Sequence, residues 1–201
     1  MNLKIGLLWG FSVLSIALAA YIIADYTVFA LFFIEATDFI SYVLAAQRIG
    51  SGQPFYEVPV VFETPAPYIY PPLMAVVLVP FAGLPIELVF VGWTIFSIGC
   101  WVTAIALIVY ALRQTLLPRL GQMGLPVLVA WLALFPALHQ HLIYGQVQIQ
   151  ILLLLVGAWL LLRRQRDGWA GGLLGVAIAI KLFPALLVVC LPYSAACGRY
   201  C

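Results

Sequence analysis

The sequence predicts an all-α integral membrane protein built as a multi-span helical bundle. Apolar residues make up 66% of the chain and charged residues only 8%. A soluble domain normally carries roughly a quarter charged residues, so too little polar surface is present here to clothe a globule in water. The apolar runs are continuous rather than alternating at period two, and the basic residues gather between them. In lipid, backbone polar groups must be satisfied within the segment or in a closed barrel, and continuous runs select helices. The net charge of +2 excludes the strongly basic footprint of a nucleic-acid binder.

The first span is expected over residues 5–34. Lys4, the apolar stretch after it and Ala17-Leu18-Ala19 imitate a secretory signal with its small-residue cleavage site. Hydrophobicity resumes through Tyr21–Ile34, interrupted only by Asp25, which favours a retained first helix. Further spans are expected at Pro85–Leu112, Leu125–Tyr144, Val147–Leu162 and Trp169–Pro192, giving about five in all. The fourth is short against the roughly 20 residues a crossing needs. Leu73–Phe81 is shorter still and suits an interfacial or re-entrant helix.

Charge placement sets the orientation. With Lys4 cytoplasmic and Leu73–Phe81 not crossing, Arg113, Arg119 and the run Arg163-Arg164-Gln165-Arg166 all fall inside, as the positive-inside tendency asks. The expected organisation is a single transmembrane domain over residues 1–201. Its parts are the first span, an outer loop over 35–84, the remaining spans over 85–192, and an irregular tail over 193–201. The expected location is the plasma membrane, with a cytoplasmic N-terminus and the active face outside.

The outer loop is read as a shaped surface carrying two interfacial helices. Across Asp38–Ile49, residues Phe39, Tyr42, Val43, Ala46 and Ile49 recur at three- and four-residue spacing, which is one apolar helix face. Gly50-Ser51-Gly52-Gln53-Pro54 stops that helix. Pro65, Pro67, Pro71 and Pro72 hold an extended connection to the short second one.

Chemistry is sought where polar groups meet the membrane boundary. Asp38 is suited to cap its helix or to act as a general base, because a carboxylate held near lipid binds a proton more tightly. Glu35 and Glu63 are lesser candidates, read mainly as loop charges. Tyr68-Ile69-Tyr70-Pro71-Pro72 is either an interfacial anchor with a fixed helix start or part of a site. His139-Gln140-His141 with Tyr144-Gly145-Gln146-Val147-Gln148 forms a polar cluster between two spans, suited to sugar hydroxyls or phosphate. Two histidines two apart on a helix point different ways, so no metal site is expected, nor any cofactor. Lys181, well inside the last apolar stretch and followed by Pro184, is costly in lipid and reads as a partner for an anionic group. Cys100, Cys190, Cys197 and Cys201 match no metal-ligand spacing.

In order along the chain, several of these segments resemble multi-span glycosyltransferases of the GT-C fold. They are Asp38-Phe39-Ile40-Ser41-Tyr42 with Ala45-Ala46, Gly52-Gln53-Pro54-Phe55-Tyr56, Tyr70-Pro71-Pro72-Leu73, Gly145-Gln146 and Lys181-Leu182-Phe183-Pro184. Within that group the chain is similar to glycosyltransferase family 87, the bacterial polyprenyl-phosphate-mannose-dependent alpha-mannosyltransferases, from about Ile5 to Pro192.

The resemblance implies a GT-C-like bundle and a hexosyltransferase moving a sugar, mannose in that family, from a polyprenyl-phosphate donor to a lipid or glycan acceptor. It implies inversion at the anomeric carbon, with Asp38 as base. Tyr70, His141, Gln146 and Lys181 inherit the lining of the donor phosphate and sugar site. Two departures stand out. Gln148 occupies the place of a family asparagine. In addition, the chain ends at Tyr193–Cys201, where the family continues with further spans. The sequence is therefore expected to be an N-terminal part, with an inactive fragment as one outcome. The alternative class is a non-enzymatic membrane transporter, lipid-binding or scaffold protein. A transporter would show internal repeats or helices broken at the midplane, whereas the polar residues here gather on one face.

Overall fold

The computed structural model describes residues 3–33, 37–56, 67–112, 124, 127–132 and 134–188. The described residues contain helices and no strand. In chain order the helices are α1 (Leu3–Phe33), α2 (Thr37–Gly50), α3 (Leu73–Leu78, continued by a 3-10 turn over Val79–Phe81), α4 (Ile86–Leu112), α5 (Pro136–Ile143), α6 (Gln148–Arg163) and α7 (Asp167–Ile180). Residues 127–132 are also helical. Glu35, Glu57, Glu63, Arg113, Arg119, Cys190, Cys197 and Cys201 lie outside the described residues.

Among the described residues, α4 is the one helix long and apolar enough to cross a membrane by itself, with 27 residues and a mean hydropathy of 2.3. Shorter apolar stretches cover Gly6–Ile22, Gln148–Arg163 and Asp167–Ile180. The buried stripe of α4 runs through Val89, Phe90, Trp93, Ser97, Cys100 and Ala104, while Leu88, Ile95, Phe96 and Val102 are exposed. In water the outer face of such a helix would be polar. Here both faces are apolar, consistent with a helical membrane protein. Its serine and threonine hydroxyls turn onto the helix backbone. Thr94 Oγ1 donates to the Phe90 carbonyl at 3.0 Å, Ser97 Oγ to Trp93 at 2.8 Å and Thr103 Oγ1 to Gly99 at 2.7 Å. Ser12 and Ser15 of α1 do the same with Leu8 and Phe11. Each hydroxyl thereby finds a backbone acceptor four residues back and needs no water.

The chain divides into two compact units, Met1–Ile40 with Leu84–Ile149, and Ser41–Gly83 with Gln150–Cys201. In the first unit α1 packs against α4 and α5. In the second, α3 lies against α7. There Gln47 Nε2 donates to the Ala82 carbonyl at 3.1 Å, tying α2 to the turn after α3.

Several expectations hold in outline. The apolar face proposed for the first outer helix is real, since Phe39, Tyr42, Val43 and Ala46 are all buried. The short stretch Leu73–Phe81 is one brief helix and a 3-10 turn, far below spanning length. Asp38 falls inside the first turn of α2 rather than before it, so it complements the helix dipole from within the helix instead of capping it.

Two of the five expected spans are not continuous helices. In Leu125–Tyr144 the chain turns at Leu134 and extends at Phe135 (φ −65°, ψ 114°) before Pro136 opens α5. The proline ring disfavours helical backbone in the residue before it. In Trp169–Pro192 the helix ends at Ile180, and Lys181 is extended (φ −151°, ψ 135°). Lys181 is therefore at a helix end rather than inside one continuous helix. The fourth stretch, α6, has 16 residues, about 24 Å at 1.5 Å per residue.

Three helices stop in the same way. After α2, Gly52 (φ 70°) donates to the Ile49 carbonyl and Gln53 to Arg48. After α6, Gln165 (φ 56°) donates to Leu162 and Arg166 to Leu161. After α5, Gly145 (φ 62°) donates to Leu142 and Gln146 to His141. Each is a Schellman ending, whose left-handed residue is normally glycine. Gln165 carries a Cβ in that conformation, at a cost of about 1 kcal/mol. Gln165→Gly is expected to raise the melting temperature in detergent, corresponding to about 0.5–1 kcal/mol, as read by thermal unfolding against wild type.

Candidate active site

The ending of α5 builds the first cluster. At Gly145 two demands coincide. The backbone is left-handed, and a Cβ there would lie 2.5 Å from Phe39 Cβ and 3.3 Å from Phe90 Cε2. Only glycine meets both. The turn is pinned from two sides. The Phe39 amide donates to the Tyr144 carbonyl at 3.2 Å, and buried Trp93 Nε1 donates to the Gly145 carbonyl at 2.9 Å. Phe39 meets Phe90 edge-on at 5.2 Å between ring centroids and lies 6.1 Å from the Trp93 ring. The start of α2, the N-terminal part of α4 and the end of α5 are thus locked at one place.

That lock delivers side chains. Gln146 Nε2 donates to Asp38 Oδ2 at 2.7 Å, across 108 residues of sequence. On its other side Gln146 Oε1 is 2.5 Å from His141 Nδ1. Asp38, Gln146 and His141 therefore form one hydrogen-bonded chain. All three were picked out from the sequence, but their mutual contact was not. Trp93, Phe90 and Phe39, which hold the turn, were missed as site residues. Trp93 sits in an apolar run where nothing in the spacing singles it out, while Gly145 just past a helix end was a readable signal.

In the second unit, Tyr70 and Lys181 meet. The Lys181 ammonium lies 4.9 Å from the centroid of the Tyr70 ring, a cation–π contact. Tyr70 belongs to an aromatic cluster. Its ring is 5.3 Å from Tyr42 and 5.8 Å from Tyr68, and Phe55 and Tyr56 stack at 4.3 Å. Tyr56 Oη donates to the Tyr70 carbonyl at 3.0 Å, and Tyr68 Oη to the Pro71 carbonyl at 2.5 Å. Prolines 71 and 72 leave this bend with few amides to satisfy, and the tyrosine hydroxyls take its carbonyls. Burial pushes the Tyr68 hydroxyl up to about 12, only partly offset by a backbone hydrogen bond from Ala75. Gln148, at the start of α6, has a buried Oε1 without a hydrogen-bond partner among the described residues.

Two measurements check these clusters. Gly145→Ala is expected to destabilise the chain by about 2–3 kcal/mol, since strain at a positive φ adds to a steric clash. Unfolding of the variant in detergent against wild type reads this. For Tyr68, the folded hydroxyl keeps its proton to about 12 while an unfolded tyrosine loses it near 10. The unfolded state therefore binds fewer protons between those values, and stability should fall as pH rises through that window. Tyr68→Phe should flatten the fall.

Comparison with known proteins places the chain. The model of glycosyltransferase family 87 matches residues 68–199, a stretch that holds Tyr70, His141, Gln146 and Lys181 and leaves Asp38 outside. A polyprenol-phosphate-mannose-dependent alpha-(1-2)-phosphatidylinositol mannoside mannosyltransferase of Mycobacterium tuberculosis is 29% identical over 165 residues, covering 74% of this chain and 37% of that protein. A polyprenol-phosphate-mannose-dependent alpha-(1-2)-phosphatidylinositol pentamannoside mannosyltransferase of the same species is 30% identical over 131 residues, 63% of this chain and 28% of that protein. The chain thus spans well under half the length of these relatives. No solved structure matches it. With more than half of its residues matched by the family model, the chain belongs to glycosyltransferase family 87.

Proposed function

We propose that the chain serves transfer of a mannosyl group from a polyprenyl-phosphate donor to a lipid or glycan acceptor, with Asp38 as general base. Family membership and two mannosyltransferase relatives support the reaction class. The observation that carries the role of Asp38 is its 2.7 Å bond to Gln146. A boundary carboxylate doing nothing but helping a helix start would not need a side-chain partner from 108 residues away.

In the proposed step, an Asp38 oxygen takes the proton of the acceptor hydroxyl as that oxygen attacks the anomeric carbon. The bond from that carbon to the phosphate oxygen breaks, and polyprenyl phosphate leaves with the electron pair. Attack opposite the leaving group inverts the centre, so a beta-linked donor gives an alpha product. Tyr70 and Lys181 are assigned to the donor's phosphate and sugar. The ammonium supplies charge for the phosphate, and its cation–π contact with Tyr70 holds it in place.

The proposed setting is a GT-C-like bundle of about five spans in the plasma membrane, with Asp38 on the outer side and the N-terminus in the cytoplasm. The apolar outer face of α4 and the basic turn after α6 support this reading.

Membranes containing the chain, labelled polyprenyl-phosphate mannose and a lipid acceptor test the proposal. Wild type should transfer label, and Asp38→Asn should lose about 10²–10⁴-fold in rate, the usual share of a general base. Undiminished transfer by Asp38→Asn would remove Asp38 from the chemistry.

A further inference from the structure

We propose that His141 and Gln146 are positioning residues, a two-link chain that sets the direction of the Asp38 carboxylate and holds neutral His141 as its Nδ1–H tautomer. The inference deepens the proposed function and rests on it for the role of Asp38. It assigns His141 and Gln146 to the carboxylate, in place of the donor lining that the family resemblance suggests.

The direction of each bond follows from what each group can donate. An ionised carboxylate only accepts. With Oδ2 at 2.7 Å, Gln146 must present its amide nitrogen to Asp38, because the reverse would press two acceptors together. Its Oε1 then faces His141 Nδ1 at 2.5 Å. An amide oxygen likewise only accepts, so Nδ1 must carry the proton, and the lone pair of the neutral ring is left on Nε2.

The backbone makes the chain stiff. His141 and Gln146 are the two residues joined by the longer Schellman bond, Gln146 N–H to the His141 carbonyl at 2.9 Å. That motif often places a hydrophobic contact between these two positions. Here a polar pair takes its place. Main-chain and side-chain bonds thus tie the same two residues, and the left-handed Gly145 between them leaves the turn no slack. A Gln held at both ends of its amide and a His fixed through Nδ1 have little freedom to follow a substrate. They have what is needed to hold one carboxylate oxygen still. Because an amide does not hand on protons as imidazole does, Gln146 orients Asp38 without relaying charge.

Substitutions separate positioning from substrate contact. Asparagine at position 141 keeps an amide N–H where Nδ1–H stood but has nothing at the place of Nε2. His141→Asn should therefore keep kcat within about threefold of wild type, whereas His141→Ala and Gln146→Leu should lose about 10–100-fold in kcat with little change in KM. Equal loss in His141→Asn and His141→Ala would mean that Nε2 works on the substrate, and would overturn the inference.

A second readout does not depend on turnover. The chain has two histidines, so nitrogen-15 shifts of labelled histidine in detergent, with His141→Asn for assignment, report the tautomer of the neutral ring. Nδ1–H at His141, lost as a preference in Gln146→Leu, is expected. Nε2–H in wild type, or a preference indifferent to Gln146→Leu, would overturn the chain. If wild type transfers no sugar, the proposed function fails, and the tautomer alone decides the positioning chain.

Discussion

The first unit depends on the approach of one backbone turn to one aromatic side chain. Gly145 comes so near Phe39 that a Cβ would sit 2.5 Å from that residue's own Cβ. Removing a single methyl group from the turn is what lets the end of α5 close on the start of α2. Once they are closed, the Phe39 amide, a donor left over at a helix start, finds the Tyr144 carbonyl. Trp93 supplies a donor to the next carbonyl from α4. Gln146 follows immediately, and its side-chain amide bonds the carboxylate of Asp38 on one side and His141 on the other. Each step removes a choice from the next.

A chain with two-thirds apolar residues has few polar groups, and serine and threonine hydroxyls of α1 and α4 are satisfied within their own helices. Ser12, Ser15, Thr94, Ser97 and Thr103 all return to their own helix backbone. Among the described residues, polar side chains with partners distant in sequence stand out: Trp93 and Gln146 in one unit, Gln47 and Lys181 in the other. In a low-dielectric setting, unmet polar groups are costly and satisfied networks rigid. This is the physical reason to look for function at the Asp38 chain and at the Lys181–Tyr70 contact. The two unlike solutions suit their groups. A carboxylate takes a directed amide, and an ammonium takes the face of a ring.

Much of this was legible in the sequence, and what was not has physical causes. The α2 face read from Phe39, Tyr42, Val43 and Ala46 is buried, because three- and four-residue spacing is a local property of a helix. Its stop was equally local, written in Gly52. The breaks before Pro136 and at Lys181 are not legible in the apolar pattern, because a run of apolar residues says nothing of backbone direction. Pro136 was the signal available, since proline restricts the residue before it. Asp38, His141 and Gln146 were each found by asking which polar residues sit at span boundaries. That Gln146 stands between the other two could not be read, because periodicity carries no information on contacts 108 residues apart. The same holds for Lys181, whose place at a helix end over the Tyr70 ring is not written in the apolar run around it.

The central claim is that Asp38 and Gln146 form one energetic unit held by the Gly145 turn. A double-mutant cycle on unfolding in detergent tests it most directly, with Asp38→Ala, Gln146→Ala and the pair together. A hydrogen bond to a charged group is worth about 1.5–3 kcal/mol, so the two substitutions should couple by at least about 1 kcal/mol. Additive effects of the two substitutions would contradict the account, because they would mean that Gln146 does not hold the carboxylate.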